Sequence, residues 1–395
     1  MTSKWNQFAL GEITELVIDY RGKTPKKLGG DWCDQGYRAL SAKNIKTGRI
    51  VQAETIRYID ESLYRKWMKD EVQRGDILIT SEAPFGQIFF WDSDEKIVLS
   101  QRLFCVRIKP EFDARFIYYY MATPEFQSEL AGRATGTTVI GLRQPELMKC
   151  VIRCPEIQEQ KAIAAILSSI DAKIIANEKI NDNLLAQAQA LFTQRFITDD
   201  IEGNEKPLYD FADYINGAAF KPSECGEHGL PIIKIVELKN GITDSTKYFD
   251  GFKGEKYLIQ DKDILFSWSG NPDTSIDIFI WTHGRAILNQ HTFNVKSNTG
   301  HRWFTFLMLK HFKPEFSRIA SNKQTTGLGH VTANDLKRLT FIFNETAIET
   351  FEQEISPFME TIYSNMIENQ RLELLRDSLL PKLMSGEIDV SDVQL

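Results

Sequence analysis

No stretch of this 395-residue sequence approaches the ~18 consecutive apolar residues of a membrane span, and the opening MTSKWNQFALGEITEL has no signal-peptide core. The expected compartment is the cytoplasm, with no membrane contact. Cysteine is scarce. Cys33, Cys105, Cys150, Cys154 and Cys225 are scattered, and the Cys150/Cys154 pair has no second pair at zinc-site spacing. Buried free thiols in a reducing compartment are expected. Histidine is absent before His228, and the six present (His228, His283, His291, His301, His311 and His330) form no His-x-x-x-His pair.

Other absences remove whole classes of chemistry. There is no G-x-x-x-x-G-K-[ST] segment to cradle a nucleoside triphosphate, and Gly327-Leu328-Gly329 lacks a third glycine. Asn271-Pro272-Asp273 lacks the second proline and the aromatic residue of a base-methylation motif. Asp261, Asp263 and Asp273 come nearest to a metal-nuclease set and read as solvated loop acids. A duplicated enzyme should carry its catalytic set twice, yet the first copy has no histidine. We therefore expect no catalytic residue, no metal and no cofactor bound by this chain. Two alternatives stay open. A divergent nuclease or methyltransferase predicts activity of the isolated chain with metal or S-adenosylmethionine. A protein- or glycan-binding scaffold predicts no salt-dependent DNA affinity.

What is present is a duplication. Asp76-Ile77-Leu78 returns as Asp263-Ile264-Leu265, Trp91 as Trp281, Gln101 as Gln290, Phe104 as Phe293 and Leu147 as Leu336. Pro124-Glu125-Phe126 returns as Pro314-Glu315-Phe316 at a similar offset. Short β-rich runs (50–51, 76–80, 88–91, 103–108) alternate with polar loops and lead into a helix near 112–121, repeated near 303–312. The pattern predicts an α+β domain in each half.

Each domain runs into a long helix. From Glu156 to Phe196 there is no glycine or proline, and the spacing of Ile163, Leu167, Ile170, Ile174, Asn177, Asn181 and Leu184 is that of a coiled-coil seam. Phe351, Ile355, Phe358, Ile362, Asn365, Asn369 and Leu372 repeat it 188 residues later. Buried asparagines fix register, because only the right alignment pairs their amides. The two helices are expected to pair antiparallel with the asparagines meeting near mid-length; the alternative puts those asparagines on a solvent-facing edge. The expected fold is thus α+β, two tandem pseudo-symmetric recognition domains (1–154 and 199–344) separated by two long antiparallel coiled-coil helices (155–198 and 345–385), with a tail (386–395).

Net charge is −7, which argues against nucleic acid until its distribution is considered. Residues 1–155 hold 23 cations against 20 anions and 200–344 hold 17 of each, whereas 345–395 hold 3 against 11. The acidity lies at the end of the chain, and both domains are free to carry basic faces. Reading DNA needs cations and amides for phosphates and side chains for base edges. The first half offers Arg21, Lys23, Lys26, Lys27, Lys43, Asn44, Thr80, Ser81, Gln101 and Arg102, then the loop with Arg133, Thr137, Thr138 and Arg143. The second offers Lys221, Lys234, Ser267, Trp268, Gln290 and His291, then the loop with Lys323, Thr325, Thr326 and His330. Singly, each such segment reads equally as an ordinary polar surface loop. Loops that differ on a repeated framework suit two readers with different targets.

These residues resemble a known family. Pro155-Glu156-Ile157-Gln158-Glu159-Gln160-Lys161-Ala162-Ile163, Gly136-Thr137-Thr138-Val139-Ile140-Gly141-Leu142, Arg74-Gly75-Asp76-Ile77-Leu78 and the closing Leu379-Leu380-Pro381-Lys382-Leu383-Met384-Ser385-Gly386-Glu387-Ile388 resemble the specificity subunit of type I restriction–modification systems. The resemblance covers nearly the whole chain. Two departures are Asp261-Lys262-Asp263, where Gly-Asp is usual, and Glu345-Thr346-Ala347, where the first copy has Pro155-Glu156. The resemblance implies that each domain reads one part of a split site in double-stranded DNA and that the helices set the unread spacer. It implies docking of modification subunits, expected as two copies, and of restriction subunits. S-adenosylmethionine, ATP and Mg would belong to those partners. One heptad added to both helices is then expected to lengthen the spacer by at most ~3 base pairs.

Overall fold

The computed structural model describes residues 5–136, 140–197, 203–324 and 327–390. The chain forms two compact units, one of residues up to 173 with those from 372 onward, the other of residues 174–371.

The first unit is built on an antiparallel sheet of β1 (Thr14–Asp19), β2 (Ile77–Thr80), β3 (Ile88–Phe90) and β4 (Leu103–Ile108), in the order β1-β4-β2-β3. The central strands read as continuous apolar runs because both faces are covered. Ile77, Ile79, Phe104 and Val106 pack against the helices Ala114–Met121 and Pro124–Gly132. Leu78, Leu103 and Cys105 face the other way, onto Leu40, Trp67 and Trp91.

The Asp-Ile-Leu repeat has a physical cause. Asp76, 1% exposed, accepts from the Gln73 backbone at 2.8 Å and takes the Arg107 guanidinium in two contacts of 2.9 Å. It closes the turn into β2 and neutralises a cation on β4.

The second unit repeats this arrangement with β5 (Ala212–Asn216), β6 (Ile264–Ser267), β7 (Asp277–Ile280) and β8 (Thr292–Ser297), in the order β5-β8-β6-β7. Asp263 accepts from the Gln260 backbone and pairs with Lys296, while Asn294 stands where the first unit has Cys105. Lys262 adopts a left-handed φ of 68°, as Gly75 does at 94° in the first copy. This accounts for the departure from Gly-Asp at that turn, since a side chain is admitted there at a modest strain. Its ammonium reaches Glu360 at 2.7 Å.

The long helices are α1 (Ile157–Phe196) and α2 (Glu345–Met384), 40 residues each. Asn344 takes over the start of α2, its side chain accepting from the Ala347 backbone at 3.2 Å. Past the end of α2, Gly386 takes φ 73° and Glu387 donates back to the Lys382 carbonyl at 3.0 Å, a left-handed cap that suits glycine.

Within the second unit the helices run antiparallel. Asn177 Nδ2 donates to Asn369 Oδ1 at 2.8 Å and to Glu368 at 2.7 Å, and Asn365 Nδ2 donates to Asn181 Oδ1 at 2.8 Å. Within the first unit Arg376 meets Asp171 at 3.0 Å, and Tyr119 donates to the same carboxylate at 2.6 Å.

The seam serves more than helix pairing. Ile163 and Leu167 belong to the first unit's core, and Phe351, Ile355 and Ile362 to the second's. Ile170 and Ile174 are buried; Asn181, Leu184, Asn365, Asn369 and Leu372 are half-buried. Phe358 is only half-buried, and Met359 beside it takes the fully covered place.

Two expected results follow. Asn369→Ala removes one of the two acceptors of the buried Asn177 amide, leaving Glu368, and should cost about 0.5–1.5 kcal/mol, whereas Asn177→Leu with Asn369→Leu removes both amides and should be neutral or stabilising. Urea midpoints of the single and double variants decide between these signs. The second result concerns thiols. Cys105, Cys150 and Cys154 are buried, and burial pushes the thiols of Cys150 and Cys154 up to about 12. Cys33 and Cys225 are half-exposed. A thiol reagent at neutral pH should label these two in the native protein and the other three only on unfolding.

Candidate nucleic-acid interface

In the first unit three loops converge at one end of the sheet. Ser81, just past β2, donates its N–H to the Arg102 carbonyl and accepts from the Leu142 N–H, both at 2.9 Å. Thr135 and Gly141 are joined by two backbone bonds of 2.9 Å. Arg21 ties the loops to the sheet. Its guanidinium lies 4.0 Å from the Phe104 ring centre, pairs with Asp19 at 2.8 Å and donates to the Leu142 carbonyl at 3.1 Å.

The second unit repeats the backbone scheme with different side chains. Trp268 occupies the place of Ser81, donating its N–H to the His291 carbonyl at 3.4 Å and accepting from Val331 at 2.8 Å. Its ring covers Phe293 at 5.6 Å and its indole N–H donates to Asn216 Oδ1 at 3.1 Å. Ser269 pairs with His330 across a short antiparallel bridge. The same framework phenylalanine is thus capped by an arginine in one unit and a tryptophan in the other.

Several sequence-based candidates are drawn away from solvent. Asn44 is buried, accepting from Ser41 and donating to the Val51 and Gln52 carbonyls and to Thr55 Oγ1. Thr80 is buried, with its hydroxyl spent on Pro84 and Gln87. Ser81 and Ser267 are buried with no hydrogen-bond partner for their hydroxyls among the described residues. These four side chains lie inside the framework, those of Asn44 and Thr80 hydrogen-bonded to neighbouring turns.

The remaining candidates divide by how they are held. Lys23 folds back onto the Trp67 carbonyl at 2.5 Å and the Tyr20 ring, and desolvation lowers its pKa. Lys27 donates to the Gly22 carbonyl at 2.8 Å. Arg133 is paired with Glu129 at 2.9 Å and Lys323 with Asp335 at 2.5 Å. Lys26, Lys43, Gln101, Arg102, Arg143, Lys221, Lys234, Gln290, His291 and His330 are exposed. Thr137, Thr138, Thr325 and Thr326 lie outside the described residues. Asp19, Glu82, Phe104, Asn216 and Phe293 also shape the loop ends; of these only the Phe104/Phe293 match was visible in the repeat.

Two copies of one loop-bearing sheet, each leading into a long helix, define a duplicated recognition protein. The comparisons with known proteins specify which kind. The type I restriction modification DNA specificity domain matches residues 2–186 and again 201–376, and the chain belongs to that family. It is 24% identical to the type I restriction enzyme MjaIX specificity subunit of Methanocaldococcus jannaschii over 351 residues, 81% of this chain and 79% of that one. It is 22% identical to the HindI specificity subunit of Haemophilus influenzae over 411 residues, 81% of this chain and 88% of that one. The fold is similar to that of a type I restriction–modification S subunit from M. genitalium, with a TM-score of 0.58 and 15% identity over 97% of this chain and 96% of that one. DNA target recognition is the activity of this family. No helix among the described residues is long and apolar enough to cross a membrane.

Proposed function

We propose that each globular domain reads one half of a split site in double-stranded DNA, and that α1 and α2 set the unread spacer and dock two modification subunits. Restriction subunits join that complex. The chain supplies specificity and no chemistry; S-adenosylmethionine, ATP and Mg belong to its partners. The observation that carries this reading is the double family match, one copy on each domain with its following helix. The helix lengths agree with it, because 40 residues span ~60 Å and one DNA turn is ~34 Å.

The test is a map of methylated sites in cells carrying this chain with its modification partner, against cells lacking the chain. A split, adenine-containing motif that depends on the chain is the expected result. No new motif, with the partner bound and active, would overturn the reading in favour of a scaffold without DNA specificity.

A further inference from the structure

Arg102 and Glu82 form an outward-facing pair at the meeting point of the first unit's loops. The contact runs from Arg102 Nε to Glu82 Oε2 at 3.1 Å, with the two side chains 50% and 36% exposed. The pair's closest contact is through Nε, and half of the arginine side chain, which ends in the two terminal guanidinium nitrogens, is exposed. Those nitrogens are the fork that matches guanine O6 and N7 in the major groove.

Both partners are set in place by the backbone. Arg102 has a left-handed φ of 64°, a conformation disfavoured for any residue with a side chain. Its carbonyl is held by the Ser81 N–H at 2.9 Å. Glu82 follows Ser81 directly and packs against the neighbouring loop, since a Cβ at Gly141 would lie 3.2 Å from its Cγ.

The second unit makes the contrast that gives the pair meaning. The same backbone bonds place His291 where Arg102 stands and Ser269 where Glu82 stands. An exposed carboxylate repels phosphate, so its presence among loops read as a DNA interface needs a reason. Orienting an arginine toward a base supplies one.

We propose that Arg102 reads a guanine in the half-site of the first domain, and that Glu82 is the positioning residue that aims its guanidinium. The inference rests on the reading given under Proposed function. By the same comparison, Ser269 and His291 at the matching places leave the second domain without this arginine and its guanine contact.

The test uses the full chain with its modification subunits, on duplexes carrying the split motif that methylation mapping assigns. Arg102→Ala is expected to lose about 5- to 150-fold of discrimination at one G·C pair of one half-site. The remaining positions of the same half-site should stay specified, which shows that the first unit is folded, and the other half-site should be unaffected. Replacing that guanine by 7-deazaguanine should weaken binding by the wild-type chain and leave Arg102→Ala unaffected. Glu82→Gln should relax the same position alone, with partial recovery in Glu82→Asp. Unchanged discrimination in Arg102→Ala, or a uniform loss over all sequences, overturns the inference. Absence of any split motif with the wild-type chain overturns the underlying reading instead.

Discussion

Asp76→Ala is expected to destabilise the first unit by about 3–5 kcal/mol, the cost of removing one partner from a buried ion pair. The side chain is 1% exposed and the Arg107 side chain opposite it 18%. With the carboxylate gone, Arg107 keeps the Glu71 carbonyl at 2.9 Å and loses both contacts to charge. The Gln73 N–H loses its acceptor as well. The matching Asp263→Ala change should cost less, about 1–3 kcal/mol, because the Lys296 side chain is 44% exposed and can return to water. Hydrogen exchange resolved to β2 and β6 measures each unit separately. Equal costs at the two sites would remove burial of the cation as the explanation.

That pair of aspartates also shows what the sequence could and could not reveal. The recurrence of Asp-Ile-Leu marked an ordered framework, because a buried carboxylate with one correct cation on the neighbouring strand tolerates little change. The same holds for α1, where absence of glycine and proline leaves no point at which the helix would stop, whereas α2 continues through Pro357 and Pro381. The loops were different. Asn44, Thr80 and Lys23 have the chemistry of DNA contacts, yet tertiary hydrogen bonds within turns consume them. Composition records a polar atom without recording which way the turn aims it. Glu82 lies in the polar loop that follows Asp-Ile-Leu, and its pairing with Arg102, twenty residues away, is a tertiary contact that spacing alone does not reveal. The displacement of Phe358 by Met359 has its own cause. A strict 3.5-residue template drifts against a 3.6-residue helix, and where α2 lies on a domain core the true helical period governs.

Adding seven residues between Lys173 and Ile174 and seven between Arg371 and Leu372 is expected to abolish recognition of the native spacing. With only one half-site in reach, affinity should fall toward the non-specific level, by on the order of 10³ or more. Each helix grows by ~10 Å, so the preferred spacer should lengthen by at most ~3 base pairs. Length is only half of the constraint. Three base pairs turn the second half-site by roughly 100° about the DNA axis, whereas a heptad shifts a helix face by only ~20° in the opposite sense. The one-heptad variant should therefore bind its best new site more weakly than the native chain binds its own. Three heptads in each helix add ~31 Å, or about 9 base pairs, and the DNA then falls roughly 45° short of a full turn. The helices turn by ~60° in that same sense, so the two rotations nearly agree. We expect the three-heptad variant to recover tighter binding than the one-heptad variant, each on its own optimal spacing. Binding assays on duplexes with graded spacers measure both. A spacing preference unmoved by either insertion would show that something other than α1 and α2 holds the two half-sites apart.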